Sequence, residues 1–137
     1  MLKAVIDTNV LICGLINSPS CRKIIRALEK WDFIPVISPE MLSELIEVTA
    51  RPKFHNIIKR DTATRLIETV KSQALLVRPS SRMNIIKDDP DDNCFLEAAI
   101  TAKVDCIVSL DNHLLKLTRF RNIPIITPTK FLELLNS

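Results

Sequence analysis

Apolar residues along the chain fall into two alternating patterns. Five short continuous runs read as strands: Ala4-Val5-Ile6, Phe33 to Ile37, Leu75-Leu76-Val77, Cys106-Ile107-Val108 and Ile123 to Ile126. Continuous rather than alternating apolar runs are what a parallel sheet covered on both faces requires. Between them, apolar positions recur at helical spacing, with Ile24, Ile25 and Leu28 on one stripe and Met41, Leu42, Leu45 and Val48 on another. The spacing predicts helices over about 20–30, 40–51, 61–72, 91–102, 113–117 and 129–135. Four helix starts carry their own punctuation. Ser18-Pro19, Ser38-Pro39, Asp89-Pro90 and Thr127-Pro128 each place a capping oxygen before a proline, whose preset φ and missing N–H suit the first helical position. Strand–helix alternation with short links predicts one three-layer α/β/α domain over residues 1–137, with a central parallel sheet of about five strands and right-handed crossovers.

Composition narrows the function classes. A hydrophobic share of 47% and a mean hydropathy of +0.16 describe a chain with a real core, not a disordered one. No apolar run approaches the roughly 18 residues of a membrane span. Asp7 interrupts the N-terminus before a signal-peptide core can form, so the expected location is cytoplasmic. The net charge of +3, from 19 Lys and Arg against 16 acids, permits a polyanionic partner without demanding one. Cys13, Cys21, Cys94 and Cys106 lack CxxC spacing, and the only histidines are His55 and His113, which argues for reduced thiols over a disulfide framework or a zinc site. The one glycine, Gly14, excludes a P-loop and a GxGxxG turn, each of which needs several. No GxSxG is present for serine hydrolase chemistry.

The acids carry the chemical signal. Ligands of open α/β sheets collect at the carboxyl ends of the strands. Asp7 follows the first strand directly, and Asp111 follows the run ending at Leu110. Asp92 falls in the first turn of the helix opened by Asp89-Pro90, and Glu44 about one and a half turns into the helix after the second strand. Carboxylates brought together on one rim repel, and some take up protons unless cations intervene. An all-oxygen site suits Mg²⁺ or Mn²⁺, one or two ions, which can activate a water and clamp a phosphodiester. The expectation from these residues is phosphate chemistry.

Four blocks then carry a resemblance. Val5-Ile6-Asp7-Thr8-Asn9-Val10-Leu11-Ile12, Ser43-Glu44-Leu45 with Arg51-Pro52-Lys53-Phe54, Asp89-Pro90-Asp91-Asp92 through Ala98-Ala99, and Val108-Ser109-Leu110-Asp111 with Leu114-Leu115 resemble, in order, the signature blocks of PIN-domain nucleases. The resemblance covers nearly the whole chain. It implies strand order 3-2-1-4-5 and metal-dependent cleavage of single-stranded RNA. It points especially to the small prokaryotic PIN proteins, many of them dimeric toxins of toxin–antitoxin pairs, so an RNA substrate, a cognate antitoxin and a homodimer are the implied partners. By the same resemblance Asp7, Asp92 and Asp111 match the family's aspartates and Glu44 its helix glutamate. Many relatives carry a further acid two positions beyond the last aspartate, where this chain has His113, so a second ion is held more weakly or only with substrate.

Each residue has a plainer role to weigh against this one. Asp111 can cap the helix from Asn112, and Asn9 can cap a helix after the first strand. Asp92 competes with Asp88, Asp89 and Asp91, all favoured in a first helical turn. It is preferred for its place in the third block, with Asp89 as the cap. Glu44 competes with Glu40 and Glu47, read as solvated. Asn9, Ser109 and, more weakly, Thr8 are candidates for orienting ligands or touching the scissile phosphate. Arg51, Lys53 and His113 are candidate RNA contacts, and Trp31 is expected to pack at a helix end. Rival functions are a structure-specific DNA nuclease, which needs helical additions this length does not hold, a degenerate PIN scaffold, and a receiver-like Mg²⁺ module, which needs a lysine at a late strand end.

Overall fold

A computed structural model of the protein describes residues 1–79 and 93–137. In chain order the elements are β1 (Lys3–Ile6), α1 (Thr8–Ile16), α2 (Pro19–Glu29), β2 (Ile34–Ile37), α3 (Pro39–Thr49), a 3-10 turn (Pro52–Phe54) and α4 (Arg60–Gln73). They continue with β3 (Leu75–Leu76), α5 (Asn93–Ala102), β4 (Cys106–Val108), α6 (Asn112–Leu115), β5 (Arg119–Phe120), β6 (Ile123–Ile126) and α7 (Pro128–Leu135). The five expected strands are β1, β2, β3, β4 and β6. The helix expected from 91, its Asp89-Pro90 start and Asp92 lie partly or wholly outside the described residues, which take that helix up at Asn93.

Three of the serine- and threonine-proline starts are helix caps as expected. Ser18 Oγ accepts from Cys21 N, Ser38 Oγ from Met41 N and Thr127 Oγ1 from Lys130 N, each at 3.3 Å, with proline in the first turn. Two elements were not anticipated. Helix α1 (TNVLICGLI) is apolar nearly all round, so no polar face marks its period. Strand β5 pairs antiparallel with β6 through a two-residue turn, Arg121-Asn122, whose φ values of 47° and 68° both lie in the left-handed region. That is the backbone of a hairpin turn usually announced by Asn-Gly.

The sheet runs β3-β2-β1-β4-β6-β5. Its first five strands are parallel and follow the expected 3-2-1-4-5 order, while the antiparallel β5 makes the sheet mixed and six-stranded. Helix α4 packs on β2, α5 spans β1, β2 and β4, and α2 lies among α1, α4 and α7. Strands β1 and β4 are almost wholly buried, consistent with layers on both faces. Phe33 and Phe131 meet edge to face at 5.0 Å, fixing α7 against the entry to β2.

Gly14 is the one glycine, and it serves packing. A Cβ there would stand 2.9 Å from the Cys21 carbonyl oxygen, so α1 and α2 approach more closely than any side chain at this position allows. Elsewhere the chain takes left-handed turns without glycine. Trp31 (φ 63°) and Lys103 (φ 53°) each follow a helix whose end is closed by a six-to-one bond, Asp32 N to Ala27 O and Val104 N to Ala99 O. Trp31 thus sits at a helix end as expected, but it is 55% exposed rather than packed. No disulfide links the four cysteines; Cys21, Cys94 and Cys106 are buried and Cys13 half-buried. Among the described residues no helix is long and apolar enough to cross a membrane.

Candidate active site

The sheet order places the site. From β1 the chain moves outward through β2 to β3, then returns to the other side of β1 with β4. The point between β1 and β4 is therefore where the order reverses, the position at which open α/β sheets bind their ligands, beyond the strand carboxyl ends. Ile6 pairs with Val108, so the next residues, Asp7 and Ser109, emerge side by side into that position. Backbone bonds from Asp7 N to Val108 O (2.9 Å) and from Ser109 N to Ile126 O (3.0 Å) hold both in the sheet's last rung.

Asp7 is only 2% exposed, which a carboxylate tolerates only when hydrogen-bonded. Its Oδ2 accepts from the Ser109 hydroxyl at 2.7 Å and its Oδ1 from the Asn9 backbone N–H at 3.1 Å, so Asp7 caps α1. Ser109, fully buried, accepts in turn from the Asp111 backbone N–H at 2.9 Å. Asp111, half-buried, caps α6 by accepting from His113 N at 2.7 Å through Oδ1. One serine hydroxyl thus ties the Asp7 carboxylate to the turn that carries Asp111. The cap expected at Asn9 is made by Asp7 instead. The Asn9 side chain is exposed, Thr8 is buried as the first residue of α1, and His113 is half-buried with its backbone holding Asp111.

Glu44 reaches the same neighbourhood from α3. Burial pushes the Cys94 thiol well above its ordinary value, and the charges of Glu44, Glu40, Glu97 and Asp7 push it further, in that order. Glu44 and Asp7 thus act electrostatically on one residue of α5. The Cys13 thiol is raised first by burial, then by Cys21 and by Asp7. Glu47, by contrast, is solvated and pairs with Arg51 at 3.1 Å. Arg51 and Lys53, expected to be available for RNA, are exposed but engaged: Arg51 with Glu47, and Lys53 over the Phe54 ring at 5.0 Å. Glu97, 7% exposed inside an apolar stretch of α5, is a buried acid that sequence reasoning did not weigh; an acid within Phe95-Leu96-Glu97-Ala98 was its signal.

Asp92 lies outside the described residues. Among those described, no three of His, Cys, Asp and Glu stand close enough to hold a metal ion by themselves. The donor chemistry on offer is oxygen, from Asp7 and Asp111 at adjoining strand ends and from Glu44 of α3, and it fits a hard divalent cation rather than zinc or copper. The strand order also removes one rival, since receiver-like modules use 2-1-3-4-5.

A family model described as PIN domain matches residues 3–113. The chain belongs to the PIN-domain family. Membership implies a nuclease, an enzyme that hydrolyses phosphodiester bonds, and the matched span includes Asp7, Glu44, Asp92 and Asp111. An uncharacterized protein of Methanocaldococcus jannaschii is 28% identical over 142 residues, covering 96% of this chain and 90% of the relative. Among solved structures, VapBC2 from Rickettsia felis, bound to a DNA fragment from its promoter, matches with a TM-score of 0.59 at 15% identity, over 92% of this chain and 98% of that one. PAE2754 from Pyrobaculum aerophilum matches with a TM-score of 0.64 at 11% identity, over 99% of this chain and 90% of that one. At those identities the two structures speak for the PIN fold alone.

Proposed function

We propose that this PIN domain is a divalent-metal-dependent endoribonuclease that cleaves single-stranded RNA, and that it is the toxin of a toxin–antitoxin pair. The observation that carries the catalytic part is the buried Asp7 carboxylate at the topological switch point, oriented by Ser109 and joined through it to Asp111. Asp7, Asp92 and Asp111 would hold Mg²⁺ or Mn²⁺, with Glu44 binding directly or through water. When bound, the ion neutralises phosphate charge and acidifies a water. The chain supplies the rest. Asp7 and Asp111 would hold the ion at a fixed place on the rim, and Ser109 keeps the Asp7 oxygens from rotating. Asn9, exposed at the start of α1, reaches toward a non-bridging phosphate oxygen. Attack by water forms one P–O bond as the bond to the 3′-oxygen breaks, leaving a 5′-phosphate and a 3′-hydroxyl.

The toxin reading is supported by the resemblance to small prokaryotic PIN proteins and by the shared fold with VapBC2. It brings with it a cognate antitoxin and a homodimer. Asp7→Asn keeps the shape of the side chain and removes its charge, so it tests the site without emptying it. Purified protein is incubated with single-stranded RNA, single-stranded DNA and duplex DNA, in Mn²⁺, in Mg²⁺ and in chelator. RNA cleavage that needs the ion and falls at least 100-fold in Asp7→Asn is the expected result. Cleavage retained in that variant would refute the site, and cleavage of duplex DNA alone would refute the substrate.

A further inference from the structure

Away from the catalytic rim, α3, α4 and the segment joining them enclose an open groove of about 570 Å³. Its walls are mainly aliphatic, built from Ile46 of α3, Ala50 just past its end, Ile58 of the connection, and Ala63 and Ile67 of α4, with Thr49 and Thr64 among them. Ile46, in the groove wall, is 41% exposed, and Ile57, next in sequence to the lining residue Ile58, is 55% exposed. Ile46 lies two residues from Glu44, about 200° round the helix, so α3 presents the groove and the catalytic acid on opposite flanks.

The rim is positively charged. His55 and Arg60 line it, Lys53 and Lys59 flank it, and the sequence from Val48 to Arg60 contains no acid. The acids nearest in sequence are Glu47, committed to Arg51 at 3.1 Å, and Asp61. Lys53, Lys59 and Arg60 make no ion pair with a described acid. Apolar walls between two helices with cations above them have a matching shape: a helix with aliphatic anchors at i, i+3 or i+4, and i+7, and carboxylates on its shoulders.

We propose that this groove docks an acidic amphipathic helix supplied by another protein. The lining favours that occupant over single-stranded nucleic acid, because bases bind by stacking on aromatic rings and the groove wall offers aliphatic side chains, with His55 its one ring. It also disfavours a second copy of this chain, whose own basic rim would meet a chain of net charge +3. The proposal does not rest on the nuclease reading, and its test uses neither RNA cleavage nor metal.

The probe is a synthetic helical peptide of about 20 residues, with leucines at groove spacing and glutamates elsewhere. A second peptide has lysine in place of every glutamate. Binding is followed by fluorescence anisotropy and by amide shifts of the labelled full-length protein. The glutamate peptide is expected to shift amides between Ile46 and Ile67. Its affinity should fall at least 10-fold in the exposed charge-reversal variant Lys59→Glu/Arg60→Glu, and again in Ile46→Glu. The lysine peptide should not bind. Equal binding of both peptides, no shifts in that segment, or unchanged affinity in the variants would overturn the proposal. So would a uridine oligonucleotide that shifts the same amides and loses affinity in Lys59→Glu/Arg60→Glu, which would make the groove an RNA surface. Concentration-dependent shifts without peptide, together with a doubled mass in solution, would make it a self-interface.

Discussion

The Ser109 hydroxyl joins the two halves of the candidate site, Asp7 and the turn that carries Asp111. Ser109→Ala deletes a 2.7 Å bond to the Asp7 carboxylate and a 2.9 Å bond from the Asp111 N–H. A hydrogen bond to a charged group contributes roughly 1.5–3 kcal/mol, and an ordinary one about 1. Water cannot readily replace the first, since Ser109 is fully buried and Asp7 2% exposed. It can partly replace the second, because Asp111 is half-buried. The expected loss is therefore about 2–3 kcal/mol, enough to lower the urea midpoint by about 1 M while leaving the protein folded. The loss should be coupled to Asp7. In an Asp7→Asn background the same truncation should cost at least 1 kcal/mol less, because the charge it served is gone. Function should follow orientation: outer partners of a metal-binding carboxylate commonly set metal affinity 10- to 100-fold. Titrating RNA cleavage against Mn²⁺ should show half-saturation displaced upward by about that factor, with the rate at saturating ion less affected. A coupling energy near zero together with an unchanged Mn²⁺ dependence would refute the claim that Ser109 positions Asp7.

Three further substitutions test the scaffold. Gly14→Ala places a Cβ 2.6 Å from the Ile25 Cδ1 and 2.9 Å from the Cys21 carbonyl oxygen; the methyl can swing away but the backbone cannot, so despite a better helix propensity a net loss of about 1–3 kcal/mol is expected in chemical denaturation. Lys103→Gly relieves a left-handed residue at a helix end, and a gain of about 0.5–1 kcal/mol, seen as a rise in Tm of about 3 °C, is expected; a fall would refute the strain. Burial, followed by the charge of Asp105, pushes the Cys106 thiol up to about 12 from its ordinary 9.0. The folded thiol then keeps its proton where the unfolded one loses it. Its stabilising effect is complete below pH 9 and declines by about 1.4 kcal/mol per pH unit toward pH 12. Cys106→Val should flatten the stability profile above pH 9, and profiles that stay parallel to the parent's would count against the shift.

What the amino-acid order reveals and what it hides divide along one physical line. Strands β1, β2, β4 and β6 and the starts of α2, α3 and α7 are local facts: a buried run or a Ser/Thr-Pro pair announces itself without reference to the rest of the chain. Asp7 was legible as a candidate site residue for the same reason, standing directly beyond such a run. Helix α1 was hidden because a helix buried on most sides has no polar face to reveal its period. The β5–β6 hairpin was hidden because a chain with one glycine makes its left-handed turn from Arg121-Asn122. The role of Gly14 and the burial of Glu97 depend on what another element brings alongside, and no window along the sequence contains that information.

The same geometry revises the physical argument from which the site was first inferred. Acids drawn to one rim were expected to be bearable only with a cation between them. The structure provides another means for at least two of them. Asp7 and Asp111 each cap a helix, so an oxygen of each faces a backbone N–H, and Asp7 also receives the Ser109 hydroxyl. Caps and helix dipoles favour the charged form of a carboxylate, and a buried hydroxyl donor does the same. These bonds fix both oxygens of Asp7 and Oδ1 of Asp111 in place. Those oxygens are therefore oriented by bonds within the chain before any ion or substrate arrives. The case for a metal then rests on chemistry as well as on charge: cleaving a phosphodiester with carboxylates and no evident general base requires something that acidifies water and tolerates phosphate charge. Dependence of cleavage on Mn²⁺ or Mg²⁺, alongside unchanged folding in chelator, is what this division of labour entails.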